Sequence, residues 1–196
     1  MFKNKFFIGF IALAVVFILF YSLRDKQTYE EKALAKIEKY KSDLVNMEES
    51  PIKENSTTGF TFFDPNEKWI IDADFVPNEA KETFNMQMTD KSVAETKLVG
   101  TAKFNLNGKN VELLIFDEES TYLLPFTDQT NGTETYGGGR YINISKDAVS
   151  GNKIEIDFNQ AHNFYCAYNE NYICPIPPIK NSIPVKVEAG EKNYHL

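Results

Sequence analysis

The hydrophobic pattern of the chain begins with an uncharged run from Phe6 to Leu23, which has two lysines before it and an arginine directly after it. Eighteen residues in an α-helix extend about 27 Å, close to the thickness of the hydrocarbon core of a bilayer. The run therefore predicts a membrane helix over residues 6–23, within an N-terminal membrane anchor over residues 1–26.

A cleaved secretory signal peptide is the alternative interpretation of this segment. Cleavage requires small residues at the end of the apolar run, whereas Leu19–Leu23 reads LFYSL. No cysteine stands at that point, which excludes lipoprotein processing. The sequence favours an uncleaved signal anchor. The lysines ahead of this single-pass span predict that the N-terminus is inside and that the C-terminal domain is outside the cytoplasm.

The pattern then takes up the period of an amphipathic helix. Between Thr28 and Met47 the apolar residues recur at steps of three or four, at Ala33, Ile37, Tyr40, Leu44 and Met47. Thr28 and Glu31 match a capping box, and Ser50-Pro51 lies where a helix should end. These features predict a helix within residues 27–50 that packs on its own domain. A short coiled-coil dimer is the alternative, supported by fewer than three heptads.

From Phe60 onward the apolar positions follow the shorter period of β-strands. Asn107-Gly108-Lys109 separates two such runs and predicts a hairpin. The predicted strands cover residues 69–76, 97–106, 110–116, 121–126, 140–144, 153–158 and 182–188. Short strands at this spacing predict a mainly β, antiparallel single domain over residues 51–196, built as a sandwich or barrel-like.

The charge of the chain excludes one class of partner. The formal net charge is −7, and residues 1–26 contribute +3, which leaves −10 on the remaining residues. An acidic body repels phosphate backbones, so no nucleic acid is expected as a partner.

Arg140 is the only arginine besides Arg24, and its guanidinium can grip a carboxylate or phosphate with two hydrogen bonds. It can pair with an acid of its own domain, such as Asp128, Glu134 or Asp157, or it can anchor an anionic ligand. The three glycines before it, which follow Tyr136, match no phosphate-binding motif. They favour a bulge or a close approach of the backbone over a phosphate loop.

Cys166 and Cys174 are the only cysteines of the chain. Outside the cytoplasm they could form a disulfide, which would stabilise the domain by roughly 2.5 kcal/mol. Reduced thiols are the alternative. A zinc site would need two more ligands, and only His162 is near, so no metal and no cofactor is predicted.

Polar residues are dense in the same region of the chain. They could converge on a polar site, or they could satisfy backbone groups of an irregular segment, as Asn and Asp often do. These residues are Asp157, Asn159, Asn163, Asn181 and Glu191.

These segments resemble a known family. DFNQAHNFYCAY (157–168), CPIPPIKN (174–181), AGEK (189–192) and the glycine-rich LPFTDQTNGTETYGGGRYINI (124–144) resemble the bacterial and archaeal family DUF1684, over roughly residues 36–192. The family has no established activity, so the resemblance implies membership and no function. Where relatives tend to read Tyr-Asn-Pro, this chain has His162-Asn163-Phe164, which argues against His162 as a required metal ligand or catalytic base.

Three functional hypotheses follow from the sequence. The first is a membrane-anchored, extracytoplasmic β-domain that binds a small or anionic ligand through Arg140, Tyr136, Asp157, Asn159, His162 and Asn181. The second is a hydrolase with a polar site around Asp157, Asn159 and His162. The third is a structural envelope protein that uses the helix of residues 27–50 as its contact. The sequence assigns no oligomeric state.

Overall fold

The computed structural model of the protein describes residues 3–22, 27–52 and 57–195. Within them, helices α1 (Lys3–Ser22) and α2 (Tyr29–Asn46) precede one antiparallel sheet of eight strands. The strands are β1 (Ile70–Pro77), β2 (Thr83–Gln87), β3 (Val93–Leu106), β4 (Lys109–Glu118), β5 (Thr121–Phe126), β6 (Arg140–Ser145), β7 (Val149–Ser150) and β8 (Lys153–Asp157). The protein is thus a mainly β, antiparallel domain with two helices.

Helix α1 covers most of the predicted membrane segment, whose last residue, Leu23, lies outside the described residues together with the rest of the predicted anchor up to Lys26. No helix over residues 3–22, 27–52 and 57–195 combines the length and the hydropathy expected of a membrane span.

Helix α2 begins with the capping box that the sequence predicts. The Thr28 hydroxyl accepts from the Glu31 N–H at 3.2 Å, and the Glu31 carboxylate accepts from the Thr28 N–H at 2.9 Å. Ala33, Ile37 and Leu44 on the predicted stripe are buried. The apolar stripe of α2 therefore packs on its own domain, as predicted.

The strands follow the order β6-β5-β4-β3-β1-β8-β7, and β2 pairs with the first half of β3. The predicted hairpin joins β3 to β4, with Asn107 and Gly108 at φ +51° and +77°. Both central residues of this turn need a positive φ, which Asn and Gly adopt readily. Strand β2 was not predicted, because it is only five residues long and its two apolar residues, Phe84 and Met86, are too few for a clear strand pattern.

The two strands at the ends of this order, β6 and β7, are consecutive along the chain. The chain passes from β6 through the short turn Lys146–Ala148 into β7, and β6 also contacts β8. The two ends of the strand order therefore lie beside each other around the main apolar core.

The prediction of a strand over residues 182–188 is wrong. This segment makes a single bridge to the sheet, between Thr127 and Ser182, and Pro184 lacks the N–H that a regular strand would donate. Ile183, Val187 and Ala189 nevertheless lie buried in the main core. The alternating apolar pattern thus reflects a segment that covers the core without joining the sheet.

Candidate functional site in a pocket between helix α2 and the sheet

A pocket of about 600 Å³ lies between the C-terminal half of α2 and the sheet. The turn between β4 and β5 forms one side, and the segment around His162 forms another. The lining combines aromatic, aliphatic and acidic side chains, contributed by Tyr40, Asp43, Leu44, Met47, Glu118, Glu119, Ser120, Thr121, Leu123, Asn143, His162, Phe164 and Tyr165. Its volume lies within the range of small-molecule sites.

His162 is the one sequence-predicted site residue in this pocket. Its Nδ1 lies 2.9 Å from the carbonyl oxygen of Asn163, which can only accept, so Nδ1 carries the proton. Nε2 is then an acceptor, and the Asn143 amide donates to it at 3.2 Å. Burial lowers the pKa of His162, although the Asn163 carbonyl opposes the shift. The imidazole is thus neutral at neutral pH, with one tautomer fixed by its neighbours.

The charged groups of the pocket are carboxylates. Asp43, Glu118 and Glu119 contribute to the lining, and Asp43 is already paired with the Lys39 ammonium group at 2.6 Å. Burial, together with the negative charges of Asp117 and Glu119, raises the pKa of Glu118. The pocket therefore disfavours an anion and can accept a neutral or positively charged group.

The inner wall of the pocket connects to a buried carboxylate. The Tyr40 ring packs on His162 with 5.1 Å between centroids, and the Tyr40 hydroxyl lies 3.0 Å from that of Tyr168. Tyr168 donates to both oxygens of Glu191, at 2.9 and 2.8 Å, and the Asn163 N–H donates to the same carboxylate at 2.8 Å. Burial raises the pKa of Glu191 to about 7 despite these donors.

Arg140 lies outside the pocket, and its prediction as a ligand anchor is wrong. Its side chain and that of Asp128 are both 0% exposed, and Nη2 meets Asp128 Oδ2 at 2.7 Å. The guanidinium also donates to the carbonyl oxygens of Val187 (2.8 Å), Ala189 and Glu191 (3.3 Å). All of these partners belong to the protein, so Arg140 ties the segment over the core to the sheet.

Asp157 and Asn159 fix helix α2 and do not form a catalytic pair with His162. The Tyr29 hydroxyl contacts both oxygens of Asp157, at 2.8 and 2.9 Å. The Asn159 side chain accepts from the Asn66 N–H and donates to the Asn66 carbonyl oxygen. Asp157 faces a smaller depression, of about 260 Å³, which His162 does not line. The hydrogen bonds of the Asp157 carboxylate go to Tyr29, Asn159 and Gln160, and those of His162 go to Asn143, Asn163 and Tyr141.

Asn181 is also a structural residue. Its side chain is buried, accepts from the Leu114 N–H at 2.8 Å, and donates to the carbonyl oxygens of Leu114 and Pro125. These bonds complete the edge of β4 where no strand pairs with it. The alternative that the polar residues satisfy backbone groups is the correct one for Asp157, Asn159 and Asn181.

Tyr136 lies beside the two cysteines and does not line the pocket. The glycines that follow it serve a close approach of the backbone. Gly139 has φ +92°, and a Cβ there would stand 2.7 Å from Pro177 and 2.8 Å from the Phe126 carbonyl oxygen. The predicted close approach is confirmed.

Cys166 and Cys174 are neighbours, but both are free thiols and the predicted disulfide is not formed in this structure. The Cys166 N–H donates to the Cys174 sulfur at 3.1 Å, which places the two residues side by side.

Comparison with known proteins identifies a family that this chain matches. The family model for a protein of unknown function, DUF1684, matches residues 55–192. The chain belongs to the DUF1684 family. An uncharacterised protein of Haloarcula marismortui, solved by solution NMR, is similar to this DUF1684 protein with 30% identity and a TM-score of 0.67 over 84% of this chain and 94% of that chain. No curated protein matches this DUF1684 chain.

Several residues of the pocket were not predicted as site residues of this DUF1684 protein. Tyr40 was identified only as part of the apolar stripe of α2, and Glu118 to Thr121 carry no motif. Their meeting depends on how α2 lies on the β4–β5 turn, which no short-range pattern encodes. The acidic pair Glu118-Glu119 followed by Ser120 was the one local signal, and it also fits an ordinary turn.

Proposed function

We propose that this protein is a membrane-anchored binding domain that takes a small neutral or positively charged ligand in the pocket between α2 and the sheet. The observation that carries the proposal is the pocket itself, which is lined by three aromatic side chains and by carboxylates. The proposal keeps the binding function expected from the sequence and replaces the anionic ligand with a neutral or cationic one.

The aromatic residues support an organic ligand. Tyr40, Phe164 and Tyr165 line the pocket together with Leu44 and Met47. An aromatic ring attracts a cation placed over its face, by about 0.5–2 kcal/mol depending on solvent exposure. Carboxylates at the same pocket add a direct partner for an ammonium group.

We expect small aromatic amines to stabilise the protein and the matching aromatic carboxylates not to. At ten times its dissociation constant, a ligand that binds only the folded state contributes about 1.4 kcal/mol, or roughly 3–6 °C in the unfolding midpoint of a chain of this size. Thermal unfolding of the full chain in detergent, with each amine and its carboxylate analogue, measures this.

Matched variants locate the effect. Glu118→Gln, alone and together with Glu119→Gln, should reduce the shift given by the amines. Asp72→Asn makes the same charge change at an exposed position of β1 and should leave the shift unchanged. An equal shift from the carboxylate analogues would overturn the charge assignment, and no shift from either series would overturn binding.

The membrane part of the proposal rests on the N-terminal run and on helix α1. Apolar side chains such as Phe10, Leu13 and Val16 are exposed along α1. Exposed apolar surface of this kind is typical of a segment that meets a lipid or protein environment. Two lysines precede the run, which favours a cytoplasmic N-terminus.

We expect a reporter that is active only outside the cytoplasm to work when fused after Leu196. The fusion should stay with the membrane fraction after a carbonate wash. Activity of only a cytoplasmic reporter at the same position would reverse the orientation, and release by carbonate would contradict the anchor.

A further inference from the structure

The two cysteines form a pair with unequal surroundings. Cys166 lies in the single 3-10 turn Tyr165–Ala167 and is partly exposed, whereas Cys174 is 1% exposed and precedes Pro175. The Cys166 N–H donates to the Cys174 sulfur at 3.1 Å. Cys166 is therefore accessible to solvent, and Cys174 is its buried neighbour.

The buried member of the pair is held in place from both sides. The Cys174 N–H donates to the Thr89 hydroxyl at 3.0 Å, and the Cys174 carbonyl accepts from the Thr89 N–H at 2.9 Å. The next residue, Pro175, accepts a hydrogen bond from Tyr141. Cys174 is thus fixed against the β2–β3 turn.

The donors around the Cys166 sulfur favour its thiolate. Hydrogen bonding from the Cys174 thiol, and more weakly from Tyr136 and the backbone N–H groups of Cys166 and Ala167, outweighs burial and lowers the pKa of Cys166 to about 7. The hydrogen bond to Cys166, together with burial, raises the pKa of Cys174. Burial and the charge of Cys166 raise the pKa of Tyr136 to about 12.

We propose that Cys166 and Cys174 are a redox-active dithiol that exchanges with an external disulfide, with Cys166 as the attacking thiol and Cys174 as the resolving thiol. The division of roles follows from the geometry, because only Cys166 is accessible to a disulfide in solution. Accessible, stabilised thiolates next to a second thiol are the usual setting of reversible disulfide exchange.

The chemistry balances without any further reactant. The Cys166 thiolate attacks one sulfur of the external disulfide, the S–S bond breaks, and one external thiolate leaves and takes up a proton. Cys174 then loses its proton and attacks the Cys166 sulfur, which releases the second external thiolate. The protein has lost two electrons and two protons to form its disulfide, and the external disulfide has become two thiols.

A bound metal is the competing use of two thiolates. Within residues 3–22, 27–52 and 57–195, no three His, Cys, Asp or Glu side chains cluster in a way that could hold a metal ion. Cys166 and Cys174 are accompanied by Tyr136 and Tyr141 instead. This surrounding supplies hydrogen-bond donors to a thiolate and no further metal ligands of the preferred kinds.

The experiment equilibrates the full chain in detergent with reduced and oxidised glutathione at pH 7 and counts thiols by alkylation and mass spectrometry. We expect an intramolecular disulfide that forms in oxidised glutathione and opens again in reduced glutathione without unfolding. Two thiols that stay reduced throughout, or a disulfide that opens only after unfolding, would overturn the proposal.

Single variants test the assigned roles. Cys174→Ser should accumulate a mixed disulfide of Cys166 with glutathione, because no thiol resolves it. Cys166→Ser should react at least about tenfold more slowly, because its remaining thiol is buried and protonated. Equal rates for the two variants would contradict the roles. Each variant is first checked for a wild-type thermal unfolding midpoint.

A further test keeps both cysteines and follows the ionisation of Cys166. Alkylation of Cys166 should follow a titration with a midpoint near pH 7, and Tyr136→Phe should move that midpoint to higher pH. Tyr172→Phe is the matched control, since Tyr172 donates to the Glu49 carbonyl oxygen and not to a cysteine. An unshifted midpoint in Tyr136→Phe, or the same shift in Tyr172→Phe, would refute the role of the phenol.

Discussion

Replacing Arg140 with methionine is expected to lower the free energy of unfolding by about 3–5 kcal/mol, because the variant leaves the charge of Asp128 buried without a partner. Both side chains of this pair are 0% exposed. The variant also removes the donors for three backbone carbonyl groups in residues 187–191. These groups lie in the segment that covers the main core, so its docking on the sheet should weaken first.

The measurement is equilibrium unfolding in denaturant, with two comparison variants. Lys186→Met breaks the ion pair with Glu134, whose side chains are 52% and 36% exposed, and it should change stability much less. The double variant Arg140→Met/Asp128→Asn should recover part of the loss. Asparagine removes the charge, and its oxygen can still accept from the Thr130 and Val187 N–H groups that Asp128 serves.

The outcome also separates bracing from ligand binding. A variant with the wild-type unfolding midpoint would contradict the bracing role. Arg140→Lys keeps the charge, but its single ammonium group cannot reproduce the fork that reaches Asp128 and the backbone carbonyls together. We therefore expect it to fall between the wild type and Arg140→Met, with no anion restoring its stability.

The sequence predicted the elements whose signals are local. The capping box of Thr28 and Glu31, the strand Thr121–Phe126 and the Asn107-Gly108 turn each depend on a few adjacent residues, and each is present. Residues 182–188 show the limit of the pattern. Alternating burial arises from any extended segment that lies on a core, and only pairing partners distinguish a strand from such a segment.

The site was less accessible to sequence reasoning than the fold. Arg140 stood out because it is the only arginine besides Arg24, and Asp157, Asn159 and Asn181 stood out because polar residues are dense in their segment. Both signals are shared by structural and ligand-binding roles. Which role applies depends on burial and on the partners present, and these are set by contacts between residues far apart in the chain. The pair Arg140 and Asp128 illustrates this, since the structural alternative named for Arg140 is the one that holds.

The stability of the protein is expected to rise as the pH falls from 8 to 5, through the carboxyl group of Glu191. Burial raises the pKa of Glu191 from 4.5 to about 7, so the folded state binds this proton more tightly than the unfolded state does. The contribution is complete below about pH 4.5 and is lost as the pH rises through 7. A shift of this size corresponds to about 3 kcal/mol.

The groups around Glu191 explain why burial prevails. Tyr168 and the Asn163 N–H donate to the carboxylate, and the charge of Arg140 also favours its ionised form. These contacts lower the pKa, but the carboxyl group is 0% exposed and the loss of hydration outweighs them. Tyr168 and Tyr40 connect the Glu191 carboxyl group to the pocket, because their hydroxyl groups lie in hydrogen-bond contact.

Glu191→Gln isolates the effect, because the amide oxygen can still accept from Tyr168 and the side chain no longer titrates. The difference in unfolding free energy between wild type and variant should change by about 2–3 kcal/mol between pH 8 and pH 5, with the wild type gaining. His162 acts in the opposite sense, since its lowered pKa costs stability as the pH falls, but it is common to both proteins and cancels in the difference. Glu188→Gln, an exposed change of the same charge, is the control. A difference that stays constant across this range would mean that Glu191 is ionised in the folded protein throughout, and that its donors outweigh its burial.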